Sequence, residues 1–284
     1  MQADLLTKVI LPVALFLIMF GIGLSLRPLD FKNIINSPKV VAIGLCAQML
    51  LLPIIALSLA LLFSLPPEIA VGLMIISLAP GGATSNMFTY LYKGDVSLSI
   101  TLTALTSLIT PFSTPILAGI SMNYFMGNNV VFSLPVGKTI LQLFIITVIP
   151  VILGMLVLSY MKSFASKIQP IFKWLSIIFL ILIITLIVLK NAANMASIFA
   201  QAGLATLTLN SISLMLGYQL AKLSRLSRAQ SMTIGFEVGI QNGTLALVVA
   251  GTLIGNHIMM IPAVTYSLIM FFSGAVFGLL MNNK

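Results

Sequence analysis

Apolar runs long enough to cross a bilayer recur along the whole chain. They occupy residues 9–26, 40–63, 69–92, 96–120, 136–158, 172–189, 199–221, 230–254 and 258–281. A helix needs about 18–20 such residues to span the hydrocarbon core, so the pattern predicts an all-α polytopic membrane protein with about nine transmembrane helices. The connections are short, and consecutive helices therefore alternate in direction. Two runs are interrupted in the middle. The third contains Leu78-Ala79-Pro80-Gly81-Gly82-Ala83-Thr84-Ser85-Asn86, where a proline and two glycines remove a backbone donor and most of the helix preference. The eighth contains Phe236-Glu237-Val238-Gly239-Ile240-Gln241-Asn242-Gly243, which reads as broken helix from Glu237 to Gly243.

Irregular backbone at membrane depth is tolerated only where it is buried in protein or lines a watery cavity. The third and eighth runs are five apart, an odd offset, so the second broken helix enters the bilayer upside down relative to the first. This is the inverted-repeat arrangement of secondary transporters, with two discontinuous helices crossing near the midplane. Two full five-helix repeats need ten helices, so the first repeat reads as lacking its leading helix.

Composition agrees with a membrane location. The chain of 284 residues is 60% hydrophobic and 7% charged, whereas a soluble domain carries about a quarter charged residues. The net charge of +9 is spread over short loops, which excludes a nucleic-acid-binding reading. Lys and Arg set the orientation. On one side lie Arg27, Lys32, Lys39, Lys93, Lys162, Lys167, Lys173, Lys222, Arg225, Arg228 and Lys284. On the other lie Lys8, Lys138 and Lys190. The expectation is a multi-pass protein of the inner (plasma) membrane, with the N-terminus outside and the C-terminus cytoplasmic. The first run is kept as a helix and not a signal peptide, because its following flank is the more basic one. The lone Cys46 is expected to be a packed, inert thiol, and His257 a loop residue at the outer mouth of the ninth run. No pairing of nucleophile with base and no metal-ligand spacing points to an enzyme.

Glu237 is the one acidic residue inside a long apolar run. A carboxylate there costs about 3 kcal/mol or more unless it is paired, and no Lys or Arg is near it in sequence. A mobile cation is the partner this pattern suggests. Sodium takes about five or six oxygens from hydroxyls, amides, carbonyls and carboxylates. The fourth run offers Ser97, Ser99, Thr101, Thr103, Thr106, Ser107 and Thr110, and Ser99 and Thr103 share a helix face. With Ser85, Asn86 and Glu237 they make five side chains able to surround one ion. Hydroxyls in membrane helices also bond their own preceding carbonyls or a neighbouring helix. Gln48, near Pro53, is either a ligand of a second ion with Gln241 or a simple interhelical hydrogen-bond partner.

Taken together, Pro80-Gly81-Gly82 leading to Ser85-Asn86, the stretch Glu237-Val238-Gly239-x-Gln241-Asn242, and the order of the runs between them resemble the bile acid:sodium symporter family, in particular its bacterial members. The resemblance covers essentially the whole chain. It implies a core domain with the two crossing helices, about residues 40–120 and 199–281, and a panel domain, about 136–189 with the first part of 1–63. It implies two sodium ions, one at Ser85, Asn86, Ser99, Thr103 and Glu237. The other falls at Gln48, Glu237, Gln241 and the main-chain oxygens of Val238 and Ile240. Bacterial members commonly have ten helices, and this chain begins at what would be their second. They also often read Gly-Gly-Thr-Ala-Ser-Asn where this chain has Ala83-Thr84, so a hydroxyl shifts along the crossing.

The resulting expectation is a sodium-coupled symporter importing a small organic anion, a carboxylate such as a pantoate-like or bile-acid-like compound. The anion would bind near Gly82, Ala83, Thr84 and Asn242, using half-helix N–H groups and the Asn amide. Two readings compete with it. One is proton coupling through Glu237, and the other is a membrane sensor that binds at the same crossing without translocating. Nothing in the residues specifies one substrate or an oligomeric state.

Overall fold

The computed structural model of this chain describes residues 5–127, 135–190 and 195–282, and every regular element among them is helical. Helix α1 is Leu6–Gly23. Short turns at Pro28–Phe31 and Lys32–Asn36 lead to α2, Pro38–Leu62. Two half-length helices follow, α3 (Pro67–Ser77) and α4 (Ala83–Leu91), and then α5 (Val96–Met126) and α6 (Val136–Tyr160). Next come α7 (Lys162–Lys190), α8 (Met195–Leu223) and α9 (Arg228–Gly239). Helix α10, Gly243–Leu247, runs on through Val248–Ile254, and α11, Ile261–Asn282, ends the described chain.

Each apolar run read from the sequence holds one helix or, for the third and eighth, a pair of half-helices. Among the described residues six helices are long and apolar enough to cross a membrane, the α9–α10 pair counted as one. Helices α7 and α8 have 29 residues each. The protein is thus an all-α polytopic membrane protein. Helix α7 begins at Lys162, well before the apolar run that predicted it, because the intervening Lys, Ser and Gln residues accept helical geometry. Only Met161 separates it from α6. Of the residues that set the orientation, Lys284 lies outside the described residues, as do the side chains of Lys32, Lys173 and Lys190.

Local sequence explains the ends and the irregular turns. Pro38 and Pro67 start α2 and α3 at positions where an amide donor is not needed. Asp95 caps α5 by accepting from the Leu98 amide at 3.0 Å. Ser227 and Gln230 form a reciprocal capping box at the start of α9. Wide helical turns at Leu6–Ile10, Ala47–Leu51 and Phe144–Val148 each precede a proline, Pro12, Pro53 and Pro150. A proline ring collides with the carbonyl four residues earlier, and the turn widens to relieve the clash. The turn before Pro53 carries Gln48, so this proline helps to aim that side chain.

Helix α1 packs against α6 and α7, while α8 packs against α9 and α11, and α3 against α5 and α11. The largest fully buried side chains include Tyr266 and Phe236, at the inner faces of α11 and α9. Rings of Phe88, Tyr92, Phe236 and Phe277 stack into a cluster that holds α4 against α9 and α11. His257 is exposed in the connection before α11, as expected. Cys46 corrects the sequence reading: its thiol is exposed on α2 and not packed. Apolar residues surround it on every side of that helix, and lipid is as apolar as a protein interior, so hydrophobicity does not mark which face turns inward.

Candidate functional site: an oxygen cluster at crossed half-helices

The two interruptions meet backbone to backbone. The Asn242 amide donates to the Ala79 carbonyl at 2.8 Å, and the Ile240 carbonyl lies so close to Gly81 that a Cβ there would collide with it. Glycine at position 81 is therefore a packing requirement of the crossing. At the first break the Leu78 carbonyl, left without a helical donor because the chain after it is not helical, accepts from Thr114 Oγ1 at 2.7 Å.

The second break is shorter than the sequence suggested. Glu237 belongs to the last turn of α9, whose final helical bond runs from the Ile240 amide to the Phe236 carbonyl at 2.8 Å. Only residues 240–242 leave the helix. Helix α9 ends there because other donors take its last carbonyls. Asn210 Nδ2 and Tyr266 Oη donate to the Gly239 carbonyl at 2.6 and 2.9 Å, and Gln241 Nε2 donates to the Val238 carbonyl at 2.7 Å. Asn242 then starts α10, its side-chain oxygen accepting from the Leu245 amide at 3.0 Å. Sequence reasoning missed Asn210, Tyr266 and Thr114. Asn210 and Tyr266 carried a usable signal, since each is a large polar side chain in an apolar run.

Glu237 is 4% exposed. The hydroxyls of Ser99 and Thr103 hydrogen-bond its carboxyl, Ser85 lies beside them, and among the described residues no basic side chain joins them. Ser99 Oγ is 2.5 Å from Glu237 Oε1 and 2.6 Å from Asn86 Oδ1. Thr103 Oγ1 is 3.3 Å from Glu237 Oε2 and 3.2 Å from Asn86 Oδ1. Ser85 is fully buried beside them, its one hydroxyl hydrogen going to the Gly82 carbonyl at 2.9 Å. The five residues predicted from the sequence for one ion therefore converge from α4, α5 and α9.

The chemistry of this cluster follows from counting protons. Ser99 and Thr103 bring one hydroxyl hydrogen each to four oxygen–oxygen approaches, so two approaches have no hydrogen between them while Asn86 presents its oxygen. With Glu237 ionised, two arrangements relieve the repulsion. Asn86 can turn its NH₂ inward and donate to both hydroxyls, which closes the cluster on itself. With its oxygen inward, the same atoms form an anionic cage of hard ligands that a small cation satisfies.

The residues predicted for a second ion are brought together in part. Gln48 and Gln241 form a reciprocal amide pair, Gln48 Nε2 to Gln241 Oε1 at 3.1 Å and Gln241 Nε2 to Gln48 Oε1 at 3.3 Å. The Val238 carbonyl joins them through Gln241. The Ile240 carbonyl instead faces Gly81 across the crossing. Glu237 is tied to the hydroxyl cluster and not to this amide pair.

Gly82, Ala83, Thr84 and Asn242 line one narrow cleft at the starts of α4 and α10, walled by Ile18 and Leu180. Its volume of ≈ 30 Å³ holds little more than a water or two. A second cavity of ≈ 150 Å³ shares Ile18 and Ala83 with it and continues past Asn86 and Tyr90 to Gln169.

The sodium bile acid symporter family model matches residues 12–198, well over half of the chain. An uncharacterized sodium-dependent transporter of Bacillus subtilis, YocS, is 30% identical over 278 residues, covering 96% of this chain and 83% of its own. The rice probable sodium/metabolite cotransporter BASS1, chloroplastic, is 28% identical over 88% of this chain. Human P3 protein is 31% identical over 80% of it. The match spans 60% of the rice protein and 47% of the human one. With the match extending over this much of its length, the chain belongs to the sodium bile acid symporter family, a family of sodium-coupled membrane transporters and not of enzymes.

Proposed function

We propose that this protein imports a small organic anion across the plasma membrane, driven by two sodium ions that enter with it. The observation that carries this reading is the oxygen cluster of Asn86, Ser99, Thr103 and Glu237, buried at the crossing with no basic partner at the carboxylate among the described residues. One sodium ion takes these oxygens together with Ser85. The second takes Gln48, Gln241 and the Val238 carbonyl, with Glu237 shared and Ile240 contributing once the crossing shifts. The names of the relatives, a sodium-dependent transporter and a probable sodium/metabolite cotransporter, support the choice of ion.

Two positive ions against one carboxylate leave a surplus of charge at the crossing. An anion is favoured beside it, in the cleft formed by Gly82, Ala83, Thr84 and Asn242. There the first N–H groups of α4 and α10 point outward from helix starts, and the Asn242 amide keeps its NH₂ free to donate because its oxygen caps α10. The N-terminus is outside and the C-terminus cytoplasmic, so the cavity leading from this cleft past Tyr90 to Gln169 opens on the cytoplasmic side. Helices α1, α6 and α7 form the panel, and the broken helices with α2, α5, α8 and α11 form the core. Rocking one against the other, about an inverted repeat, alternates access.

Uptake of candidate carboxylates into proteoliposomes tests the proposal. Accumulation driven by an inward sodium gradient is the expected result. Accumulation that needs only a pH gradient in sodium-free buffer assigns the coupling to a proton on Glu237, and binding without accumulation makes the protein a sensor.

A further inference from the structure

A wide opening lies away from the crossing, where α1, α6 and α7 come together. It is a pocket of ≈ 390 Å³ whose lining includes Arg27, Ser159 and Lys162 beside Leu29, Met155 and Leu158. Local sequence builds it. Helices α1 and α6 touch through glycines, since a Cβ on Gly23 would strike the Val151 carbonyl and one on Gly154 the Phe20 carbonyl. One turn beyond this contact, buried Leu26 (1% exposed) anchors the chain and turns Arg27 outward. The one-residue junction at Met161 brings Lys162 next to Ser159. Lys162 also opens α7, whose first amide donors have no intrahelical acceptor. The nearby carboxylate of Asp30 is turned onto the Arg27 backbone amide at 2.7 Å, and no acidic residue among the described residues lines the pocket.

The pocket has two chemical sides. Two cations, a hydroxyl and a helix start line it, which is the donor set for a phosphate. Leu26, Leu29, Met155 and Leu158 supply its apolar lining. Ile152, Leu156 and Ser159 are spaced to share one face of α6, and Ile152 and Leu156 are each 45% exposed. An apolar stripe on the exposed surface of α6 thus runs toward Ser159 at the pocket. A soluble anion uses only the first half of this arrangement, whereas a phospholipid uses both.

We propose that this pocket binds one anionic phospholipid, its phosphodiester held by Arg27, Lys162 and Ser159 and an acyl chain lying along Ile152 and Leu156. A net negative headgroup is selected because a zwitterionic one brings its own cation against a doubly basic site. The bound lipid ties α1 to the α6–α7 junction at the point where the chain leaves α1 for α2.

Lipid titration of the purified protein tests this, read as retained lipid by native mass spectrometry and as thermal midpoint. Phosphatidylglycerol is expected to bind about 30-fold more tightly than phosphatidylcholine, each basic side chain contributing about fivefold. The R27Q/K162Q variant is expected to lose that preference while keeping any stabilisation by sodium. Should the double variant fail to fold, R27Q and K162Q singly are each expected to lower the preference about fivefold, with R27K retaining most of it. Equal binding of the two lipids, or an undiminished preference in folded variants, overturns the proposal. Stabilisation by inorganic phosphate alone equal to that by phosphatidylglycerol overturns it in favour of a soluble anion.

Discussion

The break between α3 and α4 and the break between α9 and α10 lie back to back, yet they are made by different means. The first is written into the local sequence: Pro80 lacks a donor and Gly81 and Gly82 lack helix preference, so residues 78–82 leave the helix wherever they are placed. The second has no proline. Its helix ends because Asn210 and Tyr266, from α8 and α11, take the Gly239 carbonyl while Asn242 is held by Ala79 of the opposite break. One break is local and self-sufficient, and the other is made by its neighbours. The carboxylate sits beside the second, where the surroundings control its geometry.

Removing the charge gives the largest expected effect on this comparison. Glu237→Ala is expected to lower apparent sodium affinity by about 100-fold or more and abolish sodium-driven uptake. The folded protein is retained, because the replacement leaves no charge unpaired in the interior. Sodium-dependent uptake persisting at the wild-type level removes Glu237 from the site. Crowding the crossing comes next. Gly81→Ala pushes a methyl onto the Ile240 carbonyl, and Gly243→Ala pushes one onto Ser267 Oγ. Each is expected to destabilise by about 1–3 kcal/mol in an unfolding titration. Gly82→Ala, whose Cβ would meet only the Ile22 side chain at 3.1 Å, is expected to be nearly neutral in the same measurement.

The supports of the two breaks separate more subtly. Tyr266→Phe and Asn210→Ala each remove a donor from the Gly239 carbonyl, and about 1 kcal/mol of stability should go with it. Sodium affinity should fall about tenfold as well, because the misplaced carbonyl disturbs the turn carrying Glu237 and Val238. Thr114→Val removes the donor to the Leu78 carbonyl. It is expected to cost a similar stability while leaving sodium affinity within about twofold, since Pro80 and its glycines hold that break regardless. Isothermal titration with sodium on the three variants decides whether the difference between the breaks is real.

Much of the site is legible in the sequence, and the reasons are specific. Ser99 and Thr103 share a face by helical spacing, and Asn86 and Glu237 stand out as polar residues in apolar runs, so their meeting was foreseeable. The extent of the second break was not. Glu237 reads as unwound from its glycine and amide neighbours, but Gly239 packs against Leu214 in regular helix. The donors that end the helix lie about thirty residues away on either side. Cys46 failed for a related reason, since its immediate neighbours on α2 are apolar on all faces but that of Gln48, and apolar residues carry no mark of the inner face in lipid.

The sequence by itself determined the class of molecule, the places where helices break, and the one charge that needs a partner. These depend on local chemistry, namely hydrophobic length, proline and glycine, and the cost of a carboxylate in hydrocarbon. The tertiary structure decided where the second helix stops, which carbonyls are occupied, which faces meet lipid, and how the Asn86, Ser99, Thr103 and Glu237 oxygens share two hydrogens. Those outcomes depend on donors and surfaces brought from distant helices. In a bilayer, where every apolar residue is equally at home inside or outside the protein, only the packing of polar groups and small residues distinguishes the two.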